Sequence, residues 1–242
     1  MIFNGGLQLN ILTIDTATNI ELIALRTAET TLQFCNDTQR SHSVTIFENL
    51  LNLLNQGNVK MRDLNLIAVG IGPGSFTGVR IAVSTARMMA QILEVPLVGL
   101  ITHDIYGASA ALLCEEDKIL VAFDAKKGRV FGALYAKNNT AIPESIISAG
   151  DYEINFLLKD IKKGERVLCI GDGSILYKKE IAAMAESIGF SYTIKEDFLP
   201  SGDIACRIAL ALYNKDKGLY ESYNLTLPFY ARMSDAEIAR IK

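Results

Sequence analysis

A glycine-rich run at residues 70–78, Gly-Ile-Gly-Pro-Gly-Ser-Phe-Thr-Gly, constrains the folding of this chain more than any other feature. Before it stands Leu66–Ile71, a continuous apolar stretch suited to a strand buried on both faces. After it comes a helical pattern from about Thr77 to Leu93, closed by Pro96 and followed by a short apolar stretch, Leu97–Leu100. Strand, turn, helix and strand in that order build a sheet with helices on its faces. Free N–H groups and the helix dipole at such a turn favour an anion. Glycines also let backbone approach backbone, and Ser75 or Thr77 can cap the helix through its hydroxyl. No Lys-Ser or Lys-Thr follows the last glycine, so this is not a Walker loop, and Ser75 stands where GxGxxG needs its third glycine. Spacing alone leaves open both a phosphate cradle and a turn that packs the helix on the sheet.

The surrounding pattern repeats the α/β theme. Leu9–Ile14, Ile20–Arg26 and Thr30–Cys35 read as an antiparallel meander. A helix from about Ser41 to Asn55 follows, with Val44, Phe47, Leu51 and Leu54 at helical spacing. The second half offers a small-residue helix at Asp104–Leu113 and paired strands at Ile119–Asp124 and Val130–Ala136. A polar connector then leads to a strand at Arg166–Ile170 and helices near Ile175–Ser187 and Ile204–Tyr213. Element order suggests two related α/β lobes: an N-terminal lobe over 1–100, a C-terminal lobe over 101–223, and a tail, 224–242, that returns to the first lobe.

Charge and cysteine usage narrow the function. A net charge of −3 and a pI near 5.5 disfavour a protein that grips nucleic acid alone. Cys35, Cys114, Cys169 and Cys206 lie far apart with no CxxC pair, as expected of small buried hydrophobes in a reducing compartment. No apolar stretch approaches the roughly 20 residues needed to cross a bilayer, so a soluble, cytoplasmic protein is expected.

The run Ile71–Arg80, IGPGSFTGVR, resembles the signature of the TsaB (YeaZ) family. Further marks agree in order: Ile11–Thr18, Ser41-His42-Ser43, Val95–Gly99, Phe123–Gly128, Gly171-Asp172-Gly173 and Leu227–Arg232. Lys126 departs from the arginine usual in the family's Asp-Ala-Arg pattern. The resemblance implies a two-lobed actin-like (RNase H-like) ATPase fold with a degenerate second lobe. It also implies a non-catalytic subunit that binds TsaD and activates it to transfer threonylcarbamoyl to the adenosine beside the anticodon of tRNA. TsaE would join the assembled pair, a homodimer would form where TsaD is absent, and tRNA would be reached only indirectly, through the complex. No cofactor is required, although ATP or ADP could sit at the complex interface. Asp15, Thr16, Gly72, Gly74, Ser75, Thr77 and Gly78 would form a vestigial phosphate site.

Two features bear on catalysis and partnership. The metal-binding relative TsaD carries His-x-x-x-His after its second helix, whereas the aligned positions here are Ile101 or Thr102 and Tyr106. The chain has only two histidines, His42 and His103, too few for such a ligand set. The helix from Thr77 is apolar on two faces. Val79, Ala82, Val83, Ala86, Met89, Ala90 and Leu93 suit the sheet, while Ile81, Thr85, Met88 and Ile92 form a second seam. Either the second lobe covers this helix and the earlier one, or the two cover each other, or a partner does. With Val44, Phe47, Leu50 and Leu51 of the earlier helix the seam makes the expected docking face. The alternative is a stand-alone actin-fold enzyme using ATP, a kinase or phosphohydrolase, with Asp15 holding hydrated Mg²⁺.

Overall fold

The computed structural model describes residues 9–37, 42–138 and 143–232, with the backbone alone for 42–44. The first half runs β1 (Ile11–Asp15), β2 (Ile20–Arg26), β3 (Thr31–Asp37), α1 (His42–Gln56), β4 (Leu66–Gly70), α2 (Phe76–Leu93), β5 (Leu97–Leu100) and α3 (Thr102–Ala111). Then follow β6 (Lys118–Asp124), β7 (Val130–Ala136), β8 (Glu144–Tyr152), α4 (Ile154–Leu158), β9 (Arg166–Ile170), α5 (Asp172–Leu176), α6 (Lys178–Ile188) and β10 (Ser191–Lys195). Helices α7 (Gly202–Lys215) and α8 (Lys217–Tyr220) follow.

The two sheets have one topology. The first is ordered β3-β2-β1-β4-β5, with β1, β2 and β3 antiparallel and β1, β4 and β5 parallel. The second is β8-β7-β6-β9-β10, with the same senses in the same places. This is the two-lobed, actin-like arrangement. The second lobe is degenerate in its helices. Five-residue α4 stands where the first lobe has fifteen-residue α1, and the partner of α2 is broken at Tyr177 into α5 and α6. The connector expected to be only polar contains β8 and α4, and β10 follows α6.

Strand β1 is buried on both faces. Leu12 and Ile14 join α1 and α2, while Ile11 joins a core with α3 and α7. Helix α7 thus packs on the first sheet, although it comes late in the chain. Helix α3 lies between the sheets, sending Ile105 and Ala108 to the first core and Tyr106 and Ala110 to the second. That explains its small residues: an added Cβ on Gly107 would stand 2.9 Å from the Tyr135 ring. Cys114, Cys169 and Cys206 are buried free thiols and Cys35 is half-buried; burial pushes the Cys169 thiol up to about 12.

Candidate functional site: an interlobe cleft and an exposed helix pair

The glycine turn rests on the β1–β2 connection. An added Cβ would lie 1.9 Å from the Thr16 carbonyl oxygen at Gly78, and 2.2 Å from that of Ala17 at Gly74. Backbone therefore lies on backbone, which only glycine permits. Ser75 N–H donates to Ala17 O at 2.7 Å, and Thr16 Oγ1 donates to Gly78 O at 2.7 Å. Ser75 is the N-cap of α2, its hydroxyl accepting from Gly78 N–H. The Ser75–Ala17 and Thr16–Gly78 bonds tie the turn to the β1–β2 connection. Gly72, at φ 99°, needs the left-handed region and precedes a cis peptide to Pro73.

A cleft of about 670 Å³ opens beside this turn, between the ends of β1 and β6. Its two sides are related. Asp15, the last residue of β1, accepts from the N–H two residues on (Ala17, 2.8 Å), and Asp124 at the end of β6 does the same with Lys126 (2.8 Å). Burial alone would raise Asp124, but hydrogen bonds from the Lys126 side chain and backbone outweigh it and hold the carboxyl below its ordinary range. Of the expected phosphate residues, the structure brings Gly74 and Ser75 to the cleft wall. Asp15, Thr16, Gly72 and Gly78 are buried behind it, with Asp15 against the Cα of Gly70, and Thr77 is exposed away from the wall.

The cleft also holds residues that the sequence did not single out for it. Tyr106, Phe123, Phe131 and Phe198 give it an aromatic lining, and Phe229, Tyr230 and Arg232 arrive from the last described segment. Phe229 N–H donates to Ile71 O, while Arg232 donates to Ala125 O and pairs with Asp151, so this segment ties one lobe to the other. The late Leu227–Arg232 motif was the signal for it. The tail beyond residue 232 lies outside the described residues. His103 is buried, its Nε2 on Phe131 O, and burial lowers its pKa to about 4 against the opposing pull of that carbonyl. Among the described residues no group of three His, Cys, Asp or Glu side chains could hold a metal ion, and no helix is long and apolar enough to cross a membrane.

On the other flank, α1 and α2 pack side by side. Phe47 (43% exposed) and Leu51 (48%) of α1, and Met88 (46%) and Ile92 (72%) of α2, point outward. Leu50 and Thr85, expected on the same face, are buried, and Ile81 is half-buried against the core. The side chain of Val44 lies outside the described residues. For α1 the correction has a clear cause. Glu21 of β2 is fully buried and takes hydrogen bonds from Thr45 Oγ1 and Asn49 Nδ2, both at 2.7 Å. Holding those donors over the carboxylate turns Ile46, Leu50 and Leu53 inward and leaves Phe47 and Leu51 outside.

Residues 35–239 match the family model described as TsaD: tRNA N6-adenosine threonylcarbamoyltransferase. The chain belongs to this family. Within it, the curated relatives place it in the TsaB (YeaZ) branch. It is 28% identical to tRNA threonylcarbamoyladenosine biosynthesis protein TsaB of Bacillus subtilis, with 95% of this chain and 96% of that protein covered. It is 29% identical to the TsaB protein of Buchnera aphidicola subsp. Schizaphis graminum, with 78% and 91% covered. Among solved structures, YeaZ from Pseudomonas aeruginosa superposes with a TM-score of 0.77 at 21% identity, covering 92% of this chain and 99% of that one, which establishes a shared fold.

Proposed function

We propose that this chain is the non-catalytic subunit of a tRNA threonylcarbamoyladenosine synthase, docking on TsaD and activating it for transfer to the adenosine beside the anticodon. The observation that carries the proposal is the apolar exposure of Phe47, Leu51, Met88 and Ile92 on two adjacent helices. Large side chains left in water on neighbouring elements mark an interaction surface. The relatives' name supplies the pathway. The same face serves a homodimer when TsaD is absent, and TsaE joins the cytoplasmic complex, with ATP or ADP at its interfaces rather than as a resident cofactor. Against a stand-alone ATP-dependent enzyme stand two engagements: Lys126 is paired with Asp124, and Arg232 with Asp151. Among the described residues, both cations of the cleft wall thus face carboxylates, where a polyphosphate would need them. Calorimetric titration with purified TsaD tests the reading. Binding should saturate at one to one and disappear with Met88→Glu; unchanged binding by that variant would remove the interface.

A further inference from the structure

Arg26, Arg62, Arg129, Arg166, Arg207 and Arg232 each form an ion pair with a carboxylate. Arg80 and Arg87 are the two described arginines that do not. Each is instead oriented by a neutral group of the C-terminal segment. Arg80 Nε donates to Tyr230 Oη at 2.9 Å, and Arg87 Nη2 donates to Asn224 Oδ1 at 3.1 Å. Between α2 and that segment runs an open groove of about 640 Å³ whose lining, among the described residues, includes both arginines, Gln91 and Tyr230 and no carboxylate. In a chain with net charge −3, this is a local reversal of sign.

We propose that this groove binds the phosphodiester backbone of the tRNA once the complex with TsaD has formed. The contact rests on the function proposed above and goes beyond it, because it makes the TsaB-type subunit touch the RNA directly. Three observations favour an RNA strand over an acidic protein segment. Arg80 and Arg87 lie seven residues apart on one helix, about 10.5 Å along its axis, a spacing that follows a chain of charges better than a single anion. The guanidinium of Arg80 stands 3.8 Å from the centroid of the Phe76 ring, which lies 5.0 Å from that of Tyr230. Tyr230, 41% exposed, lines the groove beside Arg80 and offers a ring on which a base can stack. Tyr and Gln beside arginines are also donors of the kind that position phosphates without reading sequence. Met88, on the proposed TsaD face, lines the groove as well, so RNA held by the partner would pass within reach.

The test uses the reconstituted complex of full chain and TsaD, with fluorescence anisotropy of a labelled, unmodified tRNA transcript over a salt series. Arg80→Gln/Arg87→Gln should form the same complex by size-exclusion chromatography. It should bind the transcript about tenfold more weakly at low salt, with the slope of log affinity against log salt shallower by about 1.4–1.8, since each phosphate contact contributes roughly 0.7–0.9. Arg87→Gln alone leaves the Arg80–Tyr230 contact in place and should show a smaller loss of the same sign. Wild-type tRNA affinity and slope in both variants would overturn the proposal. Loss of the complex itself would reassign the groove to a protein contact. Weakened ATP binding with intact tRNA binding would reassign it to a free nucleotide. A wild-type chain that forms no complex with TsaD would overturn the proposed function and this contact with it.

Discussion

Replacing Gly78 by alanine sets two effects of opposite sign against each other. Gly78 lies in the first turn of α2, where alanine would on propensity alone stabilise the helix by up to about 1 kcal/mol. The packing of the turn predicts the reverse. The new Cβ would start 1.9 Å from the Thr16 carbonyl oxygen, so the loop and the β1–β2 connection must part by more than an ångström. That separation loses the Thr16 Oγ1–Gly78 O and Ser75 N–Ala17 O hydrogen bonds, both 2.7 Å. Each is worth about 1 kcal/mol net, with roughly 1–3 more for a buried group left unsatisfied. After the helix gain is subtracted, Gly78→Ala should cost about 2–4 kcal/mol. Urea unfolding followed by far-UV circular dichroism reads this directly. Gly128→Ala is the control: its φ is 77° but nothing lies within 4 Å of the added Cβ, so only backbone strain of about 1–2 kcal/mol is expected. If Gly78→Ala is as stable as the parent, or more stable, the turn is not held by backbone contact and the reasoning fails.

Other consequences follow from burial and charge. Leu50→Ala should destabilise by about 2–5 kcal/mol, whereas Leu51→Ala, one residue on, should stay within about 0.5 kcal/mol while weakening TsaD binding. Comparable unfolding midpoints for the two would contradict the phase of α1. His103 has a folded pKa near 4 against 6.5 for the ordinary side chain, so the unfolded chain binds the proton more readily. Its contribution is complete above about pH 6.5 and is lost as pH falls toward 4, by roughly 3 kcal/mol. A difference curve between the parent and His103→Gln should fall over that window; a flat one would mean that the imidazole is not buried as described. Arg232→Ala removes the tie from the C-terminal segment to Ala125 and Asp151, and hydrogen exchange at Phe229 and Tyr230 should accelerate.

The sequence reads best where burial is two-sided. Strands β1, β2 and β4 and helix α2 lie within a residue or two of their expected ends, because continuous apolar runs and Pro96 mark them. Strands β8 and β10 escaped because most of their side chains face water: only Ile147 and Gly150 are buried in β8, and no residue is in β10. They pair through backbone, which leaves no apolar run to see. The phase of α1 was hidden for another reason. Ile46, Leu50 and Leu53 run beside the stripe Val44, Phe47, Leu51 and Leu54, and the phase depends on the buried Glu21, a contact 24 residues away from Thr45. The cleft was half legible. Gly74 and Ser75 came from the motif, but the aromatic lining depends on how two lobes and a late segment converge. Nor does spacing reveal that the glycines serve a backbone contact with Thr16 and Ala17, since a phosphate would need the same absence of Cβ.

The proposed role is that of a partner subunit that docks through α1 and α2. Size-exclusion chromatography with multi-angle light scattering, on the chain alone, on TsaD alone and on their mixture, tests it most directly. A new species heavier than TsaD by one 26.5 kDa chain is expected, absent when Met88→Glu replaces the parent. Two unshifted peaks at every concentration and nucleotide condition, or a complex indifferent to that substitution, would contradict it.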